Sequence, residues 1–231
     1  MKKILYLTAT VLLFGILTVI GCGKNPILSY LPEQASSGGG GGTSGTGTTI
    51  ITYFSDDFES YAVGALNNGM GGWYVNTTGT GALDIFSENF KKVLKYSGTG
   101  DYGVTISRSI TPVAKATLEF YFKNGHAFTF RLTDDKGAQP VSLILSSKLR
   151  VMVNGDSTDT LAISGGVWNK VSIGIDITQL TYVVKLNNIV AKTGSLVAYT
   201  GTSLNGLVFS EGTSGTGTST TYYDNLLITD Q

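Results

Sequence analysis

The sequence predicts an all-β domain in which two antiparallel sheets pack as a sandwich. Only 14% of the residues are charged and 31 are glycine, while Thr, Ser, Val, Ile and Tyr are abundant, as is typical of extracellular β domains. Short apolar runs alternate with Gly, Asn, Asp, Ser and Pro. No segment has a helical period. These features predict a single sandwich domain that spans residues 50–231, a length sufficient to bury a core.

The predicted strands follow one another closely along this domain. The strongest candidates are TIITYF, YGVTISRSI, ATLEFYF, AFTFRLT, VSLILS, KLRVMV, NKVSIGIDI, LTYVVKL, LNGLVFS and YYDNLLIT. Alternation is clearest where apolar residues at 171, 173, 175 and 177 are separated by Ser172, Gly174 and Asp176. That pattern predicts a strand with one buried face and one face in water.

The N-terminus predicts a lipid anchor. Two lysines precede an apolar run of signal-peptide length that ends in Val-Ile-Gly-Cys22, and Cys22 is the only cysteine of the chain. This segment resembles the lipobox of bacterial lipoproteins, which implies cleavage after residue 21 and acylation of Cys22. The alternative is a membrane-spanning anchor, because residues 4–20 approach the length that crosses a bilayer. Gly23 follows the cysteine, and by the same resemblance this favours the outer membrane or the cell surface.

Residues 22–49 form the predicted tether between this anchor and the domain. The stretch SSGGGGGTSGTGTT cannot build a core and predicts a flexible linker. Cleavage of the signal peptide would remove Lys2 and Lys3, leaving a small excess of negative charge and no basic run. Binding to nucleic acid therefore has no electrostatic support.

Five segments stand out along the domain: DDFESYAVG, the Trp73 after a Gly-rich turn, VWNKVSIGIDI, YVVKLNNIVA and YYDNLLIT. Together and in this order they resemble the concanavalin A-like, laminin G-like jelly roll of secreted bacterial proteins. The resemblance covers residues 50–230 and implies that the first and last strands lie together. It also implies that Trp73 and Trp168 pack in the core.

Asp224 stands in the otherwise apolar last strand, and alternation places it on the face of Leu226 and Ile228. A buried carboxylate needs a partner. The resemblance implies a structural calcium at the junction of the first and last strands, and Asp57, Glu59 and Asp224 would supply hard oxygen ligands. The alternative is that Asp224 accepts hydrogen bonds from backbone amides or pairs with a lysine.

The sequence lacks the motifs of two kinds of enzyme known on this fold. Glycosidases of the laminarinase type carry a Glu-x-Asp-x-x-Glu strand whose outer carboxylates react with the sugar, and the sequence lacks it; Glu119 is interpreted as a solvent-facing residue. The stretch Tyr121–Gly125 is similar to a signature of alginate lyases, but it lies mid-chain and the other lyase motifs are absent. His126, the only histidine, is interpreted as structural.

The sequence therefore favours binding over catalysis. We expect a noncatalytic, surface-displayed lipoprotein that binds a glycan or another extracellular ligand, because exposed aromatic rings stack on sugars. The candidate rings are Tyr102, Tyr182, Tyr199 and Tyr223. The alternatives are a module that binds an envelope protein or has a structural role there and, less favoured, a glycoside hydrolase or polysaccharide lyase.

Overall fold

The computed structural model describes residues 49–99, 103–125, 127–197, 199–211 and 218–230. All of them belong to the compact unit Gly45–Gln231. Cys22, Tyr102 and His126 lie outside the described residues, as do the predicted signal peptide and nearly all of the predicted linker. No helix in the described part of the chain is long and apolar enough to cross a bilayer.

The described residues form sixteen strands and one 3-10 turn, Met70–Gly72. The strands are β1 Thr52–Asp56, β2 Gly64–Ala65, β3 Tyr74–Thr77, β4 Ala82–Glu88, β5 Lys91–Thr99, β6 Val104–Val113, β7 Lys115–Lys123, β8 Phe128–Asp134, β9 Ser142–Leu145, β10 Lys148–Val153, β11 Asp156–Ala162, β12 Asn169–Asp176, β13 Thr181–Leu186, β14 Ile189–Ser195, β15 Leu204–Glu211 and β16 Thr218–Thr229. The all-β prediction is confirmed.

The strands pair antiparallel in two sheets. The nine-stranded sheet runs β14-β13-β12-β7-β16-β5-β4-β2, and β1 joins it by pairing with β16. The seven-stranded sheet runs β11-β10-β9-β8-β15-β6-β3. Asp56 of β1 lies opposite Leu226 of β16, so the prediction that the first and last strands lie together is confirmed.

Aromatic rings fill the space between the two sheets. Phe120 and Tyr223 of the nine-stranded sheet meet Phe128, Phe130 and Phe209 of the seven-stranded sheet, with ring centroids 5.0–5.3 Å apart in the pairs that cross the core. Edge-to-face and tilted pairs of this kind add roughly 0.5–1.5 kcal/mol each beyond the area they bury. They join the sheets without a disulfide.

The strand with the clearest alternation is buried on both faces, contrary to the prediction. Val171 and Ile173 point into the core as expected, but Ser172 on the opposite face is also buried. Ser172 pairs with Glu119 on one neighbouring strand and with Lys185 on the other. Because both neighbours have longer side chains, the small serine between them is shielded from water.

Asp56 ties the end of β1 to the rest of the fold. Its Oδ2 accepts hydrogen bonds from the Tyr61 hydroxyl at 2.7 Å and from the Trp73 indole nitrogen at 2.8 Å, and its Oδ1 accepts the amide of Phe58 at 3.0 Å. Trp73 is fully buried, which confirms its predicted core position. Burial, followed by the hydrogen bond to Asp56, raises the pKa of Tyr61 to about 12.

Candidate functional site

The three carboxylates predicted to bind calcium each accept a nearby N–H group. Asp57 Oδ1 accepts the amide of Glu59 at 3.1 Å, and Glu59 Oε1 accepts the amide of Lys92 at 3.0 Å. The Asp224 oxygens accept the backbone and side-chain nitrogens of Asn225 at 2.8 and 2.9 Å. Within the described ranges, no group of three or more His, Cys, Asp or Glu side chains is arranged to hold a metal ion. Calcium at Asp57, Glu59 and Asp224 stays a prediction.

Asp224 is buried as predicted, but it lies on the opposite face of the strand from Leu226. Asn225 has φ +50°, and the pairing of β16 with β7 shifts register between Asp224 and Leu227. This extra residue breaks the alternation, so Tyr223 and Leu226 both point inward while Asp224 faces out beside Tyr121.

The outward-facing Asp224 is nevertheless 3% exposed, and this burial raises its pKa to about 7. The hydrogen bond from the Asn225 amide and the charge of Lys91 lower the pKa, while the negative charges of Glu59 and Asp57 raise it. Glu59 and Asp57 therefore lie close enough to act electrostatically on Asp224.

The three predicted tyrosine platforms that the structure describes are not open ring faces. Tyr223 is 1% and Tyr182 is 8% exposed, because each occupies an inward position of its strand, so the prediction that they are surface rings is wrong. Tyr199 is half-buried against the core, where its pKa is raised by burial and by the nearby charge of Asp134. Tyr102 lies outside the described residues.

The outer face of the nine-stranded sheet carries further rings, but lysines cover them. The predicted core residue Trp168 is half-buried there, so that prediction is wrong. Lys123 Nζ lies 5.5 Å from the Trp168 ring centroid and 4.2 Å from that of Tyr222. Lys95 Nζ lies 4.7 Å from the ring of Phe86. Ammonium groups therefore occupy the positions that a stacked sugar would need.

The outer face of the seven-stranded sheet carries mainly small hydroxyl and amide side chains, in contrast to the aromatic rings on the outer face of the nine-stranded sheet. Two rows of paired residues cross the whole sheet from β3 to β11. One row is Tyr74, Ser107, Val208, Arg131, Ser142, Met152 and Ser157, and the other is Asn76, Thr105, Ser210, Thr129, Ile144, Arg150 and Asp159. We call these two rows the hydroxyl face.

Alternation along the strands explains why these residues share a face. Ile106, Phe130 and Phe209 lie between members of the two rows on their strands, and all three are buried in the core. Side chains one position before and after them must point away from the core. The hydroxyl face is therefore the outer surface of the strands whose inner surface packs the aromatic core.

A small network orders the middle of the hydroxyl face. Arg131 Nη1 donates a hydrogen bond to Ser210 Oγ at 3.2 Å, and Ser210 Oγ lies 3.2 Å from the Thr105 hydroxyl. Arg150 Nε donates to Asp159 Oδ1 at 2.6 Å. Arg131, in contrast, forms no ion pair with any described residue. Within the described part of this face, its positive charge is therefore not paired with a carboxylate.

A cavity of about 320 Å³ opens beside this network. Its lining includes Tyr74 and five polar residues: Ser107, Arg108, Ser109, Thr133 and Asn205. Tyr74 is 57% exposed. Gly206 also lines the cavity, and a Cβ atom there would lie 2.5 Å from the Thr133 hydroxyl. Glycine therefore keeps the space beside Thr133 open.

A second cavity of about 470 Å³ lies at one end of the sandwich, between the segments around 124–127, 146–147 and 163–166. Small residues line most of it. Asn124 is 5% exposed there; its Nδ2 donates to the carbonyl of Ser146 at 2.8 Å, but its Oδ1 has no partner among the described residues. Among the described residues that line this cavity, none is charged and none carries an aromatic ring.

The sequence reasoning missed the hydroxyl face because no local pattern marks it. Tyr74 follows the Trp73 that was assigned to the core, and alternation alone would have placed its ring outside. The neighbours of Tyr74 come from strands that are distant in the sequence, so their register could not be read locally. Glu119 points outward as predicted and pairs with Lys170 at 2.8 Å.

The fold is similar to that of several solved structures. A sialidase superposes with a TM-score of 0.66 at 11% identity over 78% of this chain, which corresponds to 18% of the sialidase chain. The alginate lyase Aly36B gives 0.55 at 12% identity, and the carbohydrate recognition domain of Emp47p gives 0.53 at 12%; each alignment covers 78% of this chain and 96% of the other. At such identities the likeness shows a jelly-roll β-sandwich.

No protein family model matches the chain, and no curated protein sequence is significantly similar to it.

Proposed function

We propose that this domain binds a glycan without cleaving it, and that the hydroxyl face with its adjoining cavity is the binding surface. The observation that carries the proposal is the grouping of an exposed ring, Tyr74, with hydroxyl and amide groups and the unpaired Arg131 on one outer sheet face. Sugars present C–H faces that stack on rings and hydroxyl edges that bond to polar side chains. One of the similar structures is a carbohydrate recognition domain.

The composition of the hydroxyl face supports binding rather than glycoside hydrolysis. Canonical glycosidases need two carboxyl groups, about 5.5 Å apart in retaining enzymes and roughly 6.5–9.5 Å apart in inverting ones. The two rows of the hydroxyl face contain one carboxylate, Asp159, which is engaged by Arg150. A second carboxylate is thus missing from these rows.

The proposal also includes the predicted lipid anchor at Cys22. Acylation at Cys22 and a flexible tether over residues 22–49 would display the domain on the outer membrane or the cell surface. Metabolic labelling with a fatty-acid analogue tests this part. Labelling of the native chain and its loss in Cys22→Ser would support the anchor, whereas equal labelling of both would refute it.

Affinity electrophoresis through gels that contain soluble polysaccharides tests the glycan-binding part. We expect one class of polysaccharide to retard the full chain without any loss of polymer length. Retardation with shortening of the polymer would identify an enzyme. Equal mobility in every gel would refute glycan binding.

One feature favours the alternative, an envelope-protein partner. β14 is the outermost strand of the nine-stranded sheet, and its Ile189 and Val190 are exposed. An unpaired edge with apolar side chains is a surface on which another chain can add a strand. Crosslinking on cells that recovers a protein through β14, together with failure in every polysaccharide gel, would favour this alternative.

A further inference from the structure

We infer that the ligand of the hydroxyl face is an acidic polysaccharide and that Arg131 binds one of its carboxylate groups. The inference rests on the proposed function, because it names the class of glycan for the same surface. The two rows of the hydroxyl face carry more positive than negative charge. They contain Arg131, Arg150 and Asp159, and the last two neutralise each other across 2.6 Å. One positive charge is left at the middle of the face.

Arg131 is held in place for such a role. Its Nη1 donates to Ser210 Oγ at 3.2 Å, and Ser210 is in turn within 3.2 Å of Thr105. Both hydroxyl residues belong to neighbouring positions of the same face. A guanidinium has five N–H donors, so this one bond leaves donors for a ligand. Because the network orients the side chain before binding, less conformational entropy is lost when a ligand arrives.

The position of Arg131 links it to the cavity beside Tyr74. Arg131 pairs with Val208, and Val208 lines the cavity. Thr133, two residues along β8 and on the same face, also lines it. Two residues along a strand span about 6.5–7 Å, so the backbone of Arg131 lies one such step from the cavity. A sugar in the cavity would place the adjoining sugar of the polymer over Arg131.

The chemistry favours a carboxylate over a neutral group at this position. Arginine forms paired, charge-assisted hydrogen bonds with the two oxygens of a carboxylate, and these are roughly twice as strong as bonds between neutral groups. On the same face, Arg150 donates one charge-assisted hydrogen bond from Nε to Asp159 Oδ1 at 2.6 Å. We infer that the ligand supplies the corresponding carboxylate to Arg131.

The test compares three uronate polymers with neutral versions of the same backbones. Polygalacturonate, alginate and hyaluronate are each cast in gels beside their carboxyl-reduced forms, with dextran and dextran sulfate as further gels. The proteins are the full chain, Arg131→Gln and Arg150→Gln. Both variants remove one positive charge from the hydroxyl face, but Arg150→Gln removes a charge that is already paired.

We expect the native chain to bind at least one uronate polymer and to lose binding when the carboxyl groups are reduced. Arg131→Gln should weaken that binding roughly tenfold or more, as expected for loss of a hydrogen bond to a charged group. Arg150→Gln should change it within about twofold, because an exposed ion pair contributes little.

Other outcomes overturn the inference in distinguishable ways. Equal binding to a uronate polymer and its reduced form would leave glycan binding standing and remove the role of the carboxylate. Binding to dextran sulfate with none to uronates would do the same. Equal losses in Arg131→Gln and Arg150→Gln would show diffuse charge attraction in place of a site at Arg131. Failure to bind any polysaccharide would overturn the proposed function together with this inference.

Discussion

The Tyr223 hydroxyl donates a hydrogen bond to Glu211 Oε1 inside the core, although the two residues belong to opposite sheets. Among the described residues, the other Glu211 oxygen has no hydrogen-bond partner, and neither does the hydroxyl of fully buried Thr221 on the strand of Tyr223. Burial raises the pKa of Glu211 to about 8, and the bond from Tyr223 opposes this increase. Burial and the nearby charge of Glu211 raise the pKa of Tyr223.

The raised pKa of Glu211 predicts that the domain loses stability as the pH rises. Its ordinary pKa is 4.5, so between about pH 4.5 and 8 the folded state keeps a proton that the unfolded state has released. The free energy of unfolding therefore decreases across this window and levels off above it. Urea unfolding at pH 5 and pH 8 measures the change.

Glu211→Gln keeps the shape of the side chain and removes its titration. We expect the difference in stability between pH 5 and pH 8 to be smaller in this variant than in the native chain. Glu88→Gln serves as the control, because Glu88 pairs with Lys123 on the outer side of the nine-stranded sheet. If Glu211→Gln retains the full pH dependence, the core carboxyl is not its source.

Replacement of Phe90 by glycine in the turn at Asn89-Phe90 should stabilise the domain. These two residues join β4 to β5, with φ of +50° and +69°, and the Phe90 ring is fully exposed. Glycine is preferred where a hairpin turn needs a positive φ at its second residue. Phe90→Gly should therefore raise the free energy of unfolding by about 1 kcal/mol, since relief of backbone strain outweighs the entropy cost of glycine.

Thermal unfolding of Phe90→Gly and of Phe90→Ala separates the two effects of this change. Alanine removes the ring but keeps a Cβ in the strained conformation, so it should leave stability nearly unchanged. A decrease with glycine alone would show that its entropy cost exceeds the relief of strain, and a decrease with both would show that the Phe90 ring makes stabilising contacts.

The contacts of Asp56 predict a large destabilisation when its carboxylate is removed. Asp56→Ala leaves the Tyr61 hydroxyl and the indole nitrogen of buried Trp73 without their acceptor. Hydrogen bonds to charged groups contribute about 1.5–3 kcal/mol each, so we expect a loss of roughly 3 kcal/mol. Asp57→Ala is the control, because Asp57 accepts a local amide. Urea unfolding in EDTA measures both, and equal losses would contradict the account.

Chelation tests the calcium prediction for Asp57, Glu59 and Asp224. If an ion is held there, EDTA should lower the thermal midpoint of calcium-saturated protein, since a ligand that binds the folded state stabilises it. Asp224→Asn should then have a low midpoint that EDTA does not change. An EDTA-independent midpoint in the native chain would leave Asp224 with the hydrogen bonds from Asn225 alone.

Much of the fold could be predicted because strand patterning is local. The apolar runs located the strands, and a family resemblance predicted that β1 and β16 pair. The bulge at Asn225 could not be predicted, because an asparagine that adopts a positive φ looks like any other strand residue in the sequence. That single residue turned Asp224 outward and Tyr223 inward, so it reversed the predicted faces of both.

The candidate site was harder to predict than the fold. Alternation shows which residues of a strand point outward, but the hydroxyl face depends on the register of seven strands. Tyr74 of β3 and Arg131 of β8 lie in one row because β6 and β15 pair between their strands in a particular register. β6 and β15 come from separate parts of the chain. Tyr223 is buried because of the bulge at Asn225, and Tyr182 because it shares the inward face of β13 with Val184.

The most direct test of the central claim compares Tyr74→Ala with Tyr222→Ala in calorimetric titration against the polysaccharide that retards the native chain. Tyr74 is exposed on the seven-stranded sheet, while the Tyr222 ring on the nine-stranded sheet is covered by Lys123. We predict that Tyr74→Ala weakens binding about tenfold, as expected for an aromatic hot spot, and that Tyr222→Ala leaves it unchanged. The reverse result would place the binding surface on the nine-stranded sheet and contradict the account.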